Sequence, residues 1–128
     1  MFKIYNINSL LIKIFEALLY ICAPFSNKIE KGIIGRKNSF KKLNLCFKKG
    51  DRIIHIHCAS HGEYLLSKKL IENLKKRFEN HKFLLSFISP SGYENVNNDL
   101  FDCIIYLPME SNKNCIKFYN LIKPTATF

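Results

Sequence analysis

Paired cysteine is the first thing this chain lacks. Its five cysteines, Cys22, Cys46, Cys58, Cys103 and Cys115, are odd in number and widely spaced, with no Cys-x-x-Cys pair. That pattern argues against a disulfide framework or a zinc site and for buried thiols in a reducing compartment. A long unbroken apolar run is missing too. Residues 9–25 are nearly all apolar, but Lys13 and Glu16 interrupt them and Pro24 closes them, short of the roughly 20 apolar residues a spanning helix needs. Neither a strong basic start nor a small-residue cleavage pattern accompanies that run, which argues against a cleaved signal peptide. There is no internal repeat and no low-complexity tract. Acidic residues are scarce, ten against twenty lysines and arginines.

What is present fits a packed domain: 128 residues, 48% hydrophobic and 23% charged. The net charge of +10 is uneven, because residues 1–50 carry ten basic side chains against only Glu16 and Glu30. Such a field favours phosphates, nucleic acid or an anionic membrane surface, or else simply solvates a lysine-rich face. Within 9–25, Lys13, Glu16 and Tyr20 fall at helical spacing and line one stripe. That is the pattern of a helix lying in a membrane interface, or of one buried against a partner domain.

Residues 26–50 are polar and basic, with Gly32 and Gly35 around Ile33 and Ile34. An Asn38/Ser39 pair is expected to cap a short helix ending near Phe47, and Gly50-Asp51 marks a break. Strand and helix patterns then alternate. Residues 52–58 are a β-branched run, and 64–80 form a helix with Leu66, Leu70, Leu74 and Phe78 on its inner face. A second strand at 83–88 is stopped by the Ser89-Pro90-Ser91-Gly92 turn, and a third at 103–107 by Pro108. Residues 111–122 form a helix with Ile116 and either Tyr119 or Phe118 inward, ended by Lys123-Pro124, and 125–128 begin a fourth strand. The βαβαβαβ order implies an α/β fold, a partial Rossmann-like parallel sheet with helices on both faces. Two parts are expected: an amphipathic, basic segment over 1–50 and an incomplete sheet domain over 51–128. Four strands make half of such a sheet, so the chain is expected to be a fragment or a truncated product, inactive alone.

The chemistry concentrates in residues 55–63, His-Ile-His-Cys-Ala-Ser-His-Gly-Glu, at a strand-to-helix turn. Ligands of open α/β sheets are held at such turns, where backbone N–H groups and a helix N-terminus converge. Ser60-x-x-Glu63 matches a capping box. The same residues also suit catalysis, with Gly62 admitting a substrate close to the backbone and Glu63 acting as a general base. The two readings differ in where the carboxylate points. His55 and His57 share one face of a strand while Cys58 takes the other, so no metal site is expected. Ser91 and Gly92 lie beside the first loop if the sheet is parallel.

In order, residues 56–63, then Leu70-Ile71, then residues 87–94 and Tyr106-Leu107-Pro108 resemble the N-terminal domain of 3-deoxy-D-manno-octulosonic acid (Kdo) transferase. Gly35-Arg36-Lys37 after an apolar segment extends the resemblance upstream. It implies a GT-B glycosyltransferase with two Rossmann-like domains at the cytoplasmic face of the inner membrane. The enzyme would transfer Kdo from CMP-Kdo to a lipid A precursor in lipopolysaccharide synthesis. Glu63 falls on the proposed general base of that family, with Ser60, Gly62, Ser91 and Gly92 as substrate-binding positions and Arg36 and Lys37 facing lipid phosphates. No metal, cofactor or nucleic acid is implied. His61 stands where the family has an apolar or small residue. Members continue past the Lys-Pro pair to a second functional Glu and then to the CMP-sugar domain, neither of which lies within these 128 residues.

Two other readings stand beside this one. The first is a non-catalytic membrane-surface remnant of such a transferase. The second is a nucleic-acid-binding protein, motivated by charge but without exposed aromatics interleaved on a recognisable motif.

Overall fold

The computed structural model describes residues 26–96, 98–109 and 111–128, together with 10, 11, 13, 14, 17, 18 and 21. The amphipathic helix expected over 9–25, and Cys22 with it, thus fall largely outside the described residues. Among the described residues no helix is long and apolar enough to cross a membrane.

Helix α1 (Asn27–Cys46) precedes the alternation β1 (Ile53–Cys58), α2 (His61–Arg77), β2 (Lys82–Phe87), α3 (Pro90–Asn95), β3 (Cys103–Tyr106), α4 (Asn112–Ile122) and β4 (Ala126–Thr127). The four strands form one parallel sheet in the order β3-β2-β1-β4. The expected α/β architecture, with its partial Rossmann-like sheet, is therefore the observed one. From β1 to β3 the chain steps in one direction, and α2 and α3 lie on one face. The step from β3 back to β4 runs the other way and puts α4 on the opposite face, as crossovers of a single hand require.

Both faces are apolar, as a parallel sheet demands. Ile54, Ile56, Phe83, Leu85, Phe87 and Ile104 meet Tyr64, Ile71 and Leu74 of α2 on one side. Ile53, Leu84, Cys103 and Ile105 meet Leu43 of α1, Phe47 and Ile122 of α4 on the other. The helix faces differ from the simple i+4 stripes. Leu66 is 88% exposed and Leu70 49%, while Tyr64 and Ile71 are buried instead. In α4, Ile122 is buried and Phe118 packs on the core, whereas Ile116 and Tyr119 face solvent.

The largest correction concerns α1. It is one continuous 20-residue helix beginning at Asn27, and the Asn38/Ser39 pair does not start a helix. Ser39 is buried mid-helix and donates to the Tyr106 carbonyl at 2.6 Å. β3 is an edge strand. Leu107 donates inward to Phe87, so the Tyr106 carbonyl points to the unpaired side and needs a partner from elsewhere. Ser39 supplies it, and α1 thereby covers the edge.

Two glycines permit close contact. A Cβ on Gly35 of α1 would run into the Tyr106 ring, and one on Gly92 of α3 into the Phe87 ring. Tyr106 stacks on Tyr93 at 4.3 Å, and Lys42 of α1 donates to the Tyr93 hydroxyl at 3.1 Å. Gly35→Ala and Gly92→Ala are each expected to lower stability by ~1–3 kcal/mol in urea unfolding, the cost of overpacking a filled contact. Gly62→Ala is the control: its Cβ would meet only Ser60 Oγ at 3.8 Å, and its unfolding midpoint should not fall.

Candidate functional site

Strand order reverses between β1 and β4, so the topological switch point lies at the carboxyl end of β1. The loop from Ala59 to Glu63 emerges there. Ser60 caps α2, its hydroxyl accepting from the Glu63 N–H at 3.4 Å, and Glu63 Oε2 accepts from the Ala59 N–H at 2.6 Å. The Ser60 half of the capping box is thus formed, while the Glu63 carboxylate reaches one residue past the cap, to Ala59, and folds back over the loop. It is also exposed, and its other oxygen is the one left to face a ligand. Gly62 is exposed beside it, and a side chain there would make only an ordinary contact with Ser60 Oγ.

The second loop joins the first by a backbone bond, Ser89 N–H to Ala59 C=O at 3.1 Å. What reads as a turn, Ser89 to Gly92, is the start of α3: Ser89 caps it, accepting from Gly92 N–H at 3.3 Å, with Pro90 in its first turn. The Ser91 hydroxyl is exposed and shares a hydrogen bond with Ser89 Oγ at 3.0 Å. Gly92 is buried against Phe87. Arg36 reaches the same loop from α1, donating to the Ile88 carbonyl at 2.6 Å, with its guanidinium 5.8 Å from the Tyr106 ring centre. Burial lowers the Arg36 pKa from its ordinary value, partly offset by Tyr106. Lys37 is exposed on the next position of α1. Parallel pairing, with α1 packed alongside, therefore gathers Ser60, Gly62, Glu63, Ser91, Gly92 and Arg36 near the carboxyl ends of β1 and β2.

Residues 33–128 match the model of the 3-deoxy-D-manno-octulosonic-acid transferase (kdotransferase) family. The chain belongs to this family. It is similar to the 3-deoxy-D-manno-octulosonic acid transferase of Aquifex aeolicus, 32% identical over 92 residues, which cover 70% of this chain and 25% of that protein. It is also similar to a bifunctional glycosyltransferase/methyltransferase of Fusobacterium nucleatum, 29% identical over 109 residues, covering 82% of this chain and 16% of that protein. The chain thus spans a quarter or less of the length of these relatives. No solved structure matches it.

His61, the departure within the Kdo transferase loop, leans on Tyr64 with ring centres 5.9 Å apart, and its Nδ1 is buried. Cys58 is buried beneath the loop, and burial, then the Glu63 charge, push its thiol pKa up, which keeps it protonated and inert. Cys46, Cys58, Cys103 and Cys115 are all free; Cys58 and Cys103 are buried and Cys115 is exposed. Among the described residues no three metal-ligating side chains converge.

Sequence reasoning passed over Ser86. Its buried hydroxyl sits between two imidazoles, 2.8 Å from His55 Nε2 and 2.9 Å from His57 Nδ1. Serine on one strand opposite alternate histidines on another was the available signal, but only the register of His57 against Ser86 makes it legible. Burial, and next the charge of His57, hold the His55 pKa down at about 4, against an ordinary 6.5. Between those values the unfolded chain binds a proton that the folded one refuses. Stability is therefore expected to fall as pH drops from 6.5 to 4, by about 3 kcal/mol in all. Urea unfolding across that window checks it, and His55→Gln should remove that part of the slope.

Proposed function

We propose that this chain is the acceptor-side part of a GT-B transferase that moves Kdo from CMP-Kdo to a lipid A precursor at the cytoplasmic face of the inner membrane. The observation that carries the reading is the Glu63 carboxylate: exposed at the switch point, and anchored through one oxygen by the Ala59 N–H. An anchored, solvent-facing carboxylate is suited to take the proton from an acceptor hydroxyl. As that proton leaves, the acceptor oxygen bonds to the anomeric carbon of Kdo, the bond from that carbon to the phosphate oxygen breaks, and CMP departs with the electron pair. The donor would be held by a nucleotide-sugar domain outside these 128 residues, since stabilising the departing charge needs groups from the far side of the cleft. Arg36 and Lys37, with the basic N-terminal part of the chain, would face the phosphates of the lipid acceptor and of the membrane surface.

Glu63→Gln tests the assignment cleanly, because the amide oxygen still accepts from Ala59 while the basic charge is gone. In the full-length protein, assayed with CMP-Kdo and a lipid A precursor, kcat should fall by roughly 10²- to 10⁴-fold with little change in KM. Undiminished turnover would remove Glu63 from the reaction.

A further inference from the structure

The interior of a parallel sheet is ordinarily apolar. This one is interrupted at His55 and His57 of β1 and Ser86 of β2, all on the α1/α4 face, with the exposed Thr127 of β4 beside them. Their side chains form one chain of contacts. Thr127 Oγ1 lies 3.5 Å from His55 Nδ1, His55 Nε2 lies 2.8 Å from Ser86 Oγ, and Ser86 Oγ lies 2.9 Å from His57 Nδ1. The Phe118 ring closes over His55 edge-on, with centroids 5.3 Å apart. His55 is 5% exposed and Ser86 fully buried.

Burying these groups costs stability that valine or leucine would not, so the arrangement calls for a use. Its open end is His57. That residue is half-buried, one position before the end of β1, and its N–H pairs with the Phe128 carbonyl at 2.9 Å. It therefore stands at the switch point, on the opposite side of the β1 end from Glu63. With Nδ1 on Ser86, its Nε2 has no partner among the described residues.

The single Ser86 proton can go to only one ring. Given to His57, it leaves Nε2 as the N–H donor of a neutral imidazole; given to His55, it makes Nδ1 of His57 the donor and Nε2 an acceptor. In both cases Ser86 and His55 fix the ring and leave one polar atom outward. We propose that His57 is a second ligand-contacting residue of this site, hydrogen-bonding an oxygen of the sugar substrate through Nε2, with Ser86 and His55 as positioning residues. The assignment rests on reading the Glu63 loop as a Kdo transfer site.

Asparagine and glutamine separate the two ring nitrogens, because their amides reach two and three bonds beyond Cβ, as Nδ1 and Nε2 do. Steady-state transfer in the full-length protein is measured for His57→Asn, His57→Gln, Ser86→Ala and Glu63→Gln, alongside urea unfolding of each. His57→Asn keeps the Ser86 contact and should lose roughly tenfold in kcat/KM, the worth of one hydrogen bond, at an unchanged unfolding midpoint. His57→Gln should recover most of that loss, and Ser86→Ala should raise KM by freeing the ring. Wild-type kinetics in His57→Asn, a loss that tracks its unfolding midpoint, or a His57→Gln as impaired as His57→Asn would each overturn the proposal. If these occur while Glu63→Gln is inactive, the transfer reading stands and only His57 is dismissed. A wild type that transfers no Kdo overturns both.

Discussion

The parallel register of β1 against its two neighbours is the constraint on which everything else depends. Cys58 opposite Phe87 and Phe87 opposite Tyr106 bring three strand ends level, and the Ser89-to-Ala59 bond then ties the first two loops together. A slip of one residue would turn every side chain to the other face. It would separate Ser86 from both histidines and send the Tyr64 and Phe87 rings out of the same core. The site is in this sense a property of strand pairing before it is a property of any loop.

Glu63 illustrates how two readings of one residue can both hold. Capping and base catalysis were distinguished by the direction of the carboxylate, yet a carboxylate has two oxygens. One accepts from the Ala59 N–H in the loop just before α2, and that same bond restricts where the other can go. Structural and chemical roles are coupled here, because the cap supplies the preorganisation that a base requires.

Much of this was legible in the residues. The β-branched runs marked the strands, Ser60-x-x-Glu63 marked a helix start, and the order of elements implied that the two loops would meet. What escaped was whatever depended on a distant partner. Ser39 looked like a cap because serine usually avoids helix interiors; only the unpaired carbonyl of Tyr106, 67 residues away, explains it. The α2 face was read from leucines at intervals of four, but Phe87 and Phe101 draw the Tyr64 ring inward, and Leu66 and Leu70 are turned to solvent. Likewise His55 and His57 were visible as a pair, while the hydroxyl that binds them lies on another strand.

The two packed glycines carry a consequence for how such a site can change over generations. Gly35 and Gly92 are closed to substitution, since any larger residue collides with Tyr106 or Phe87, and they hold α1 and α3 at a set depth on the sheet. Gly62 is exposed, and a Cβ there would meet only Ser60 Oγ, at ordinary contact distance. Drift in specificity is therefore channelled to the rim of the β1 loop, where a new side chain alters what is bound without moving the platform beneath it.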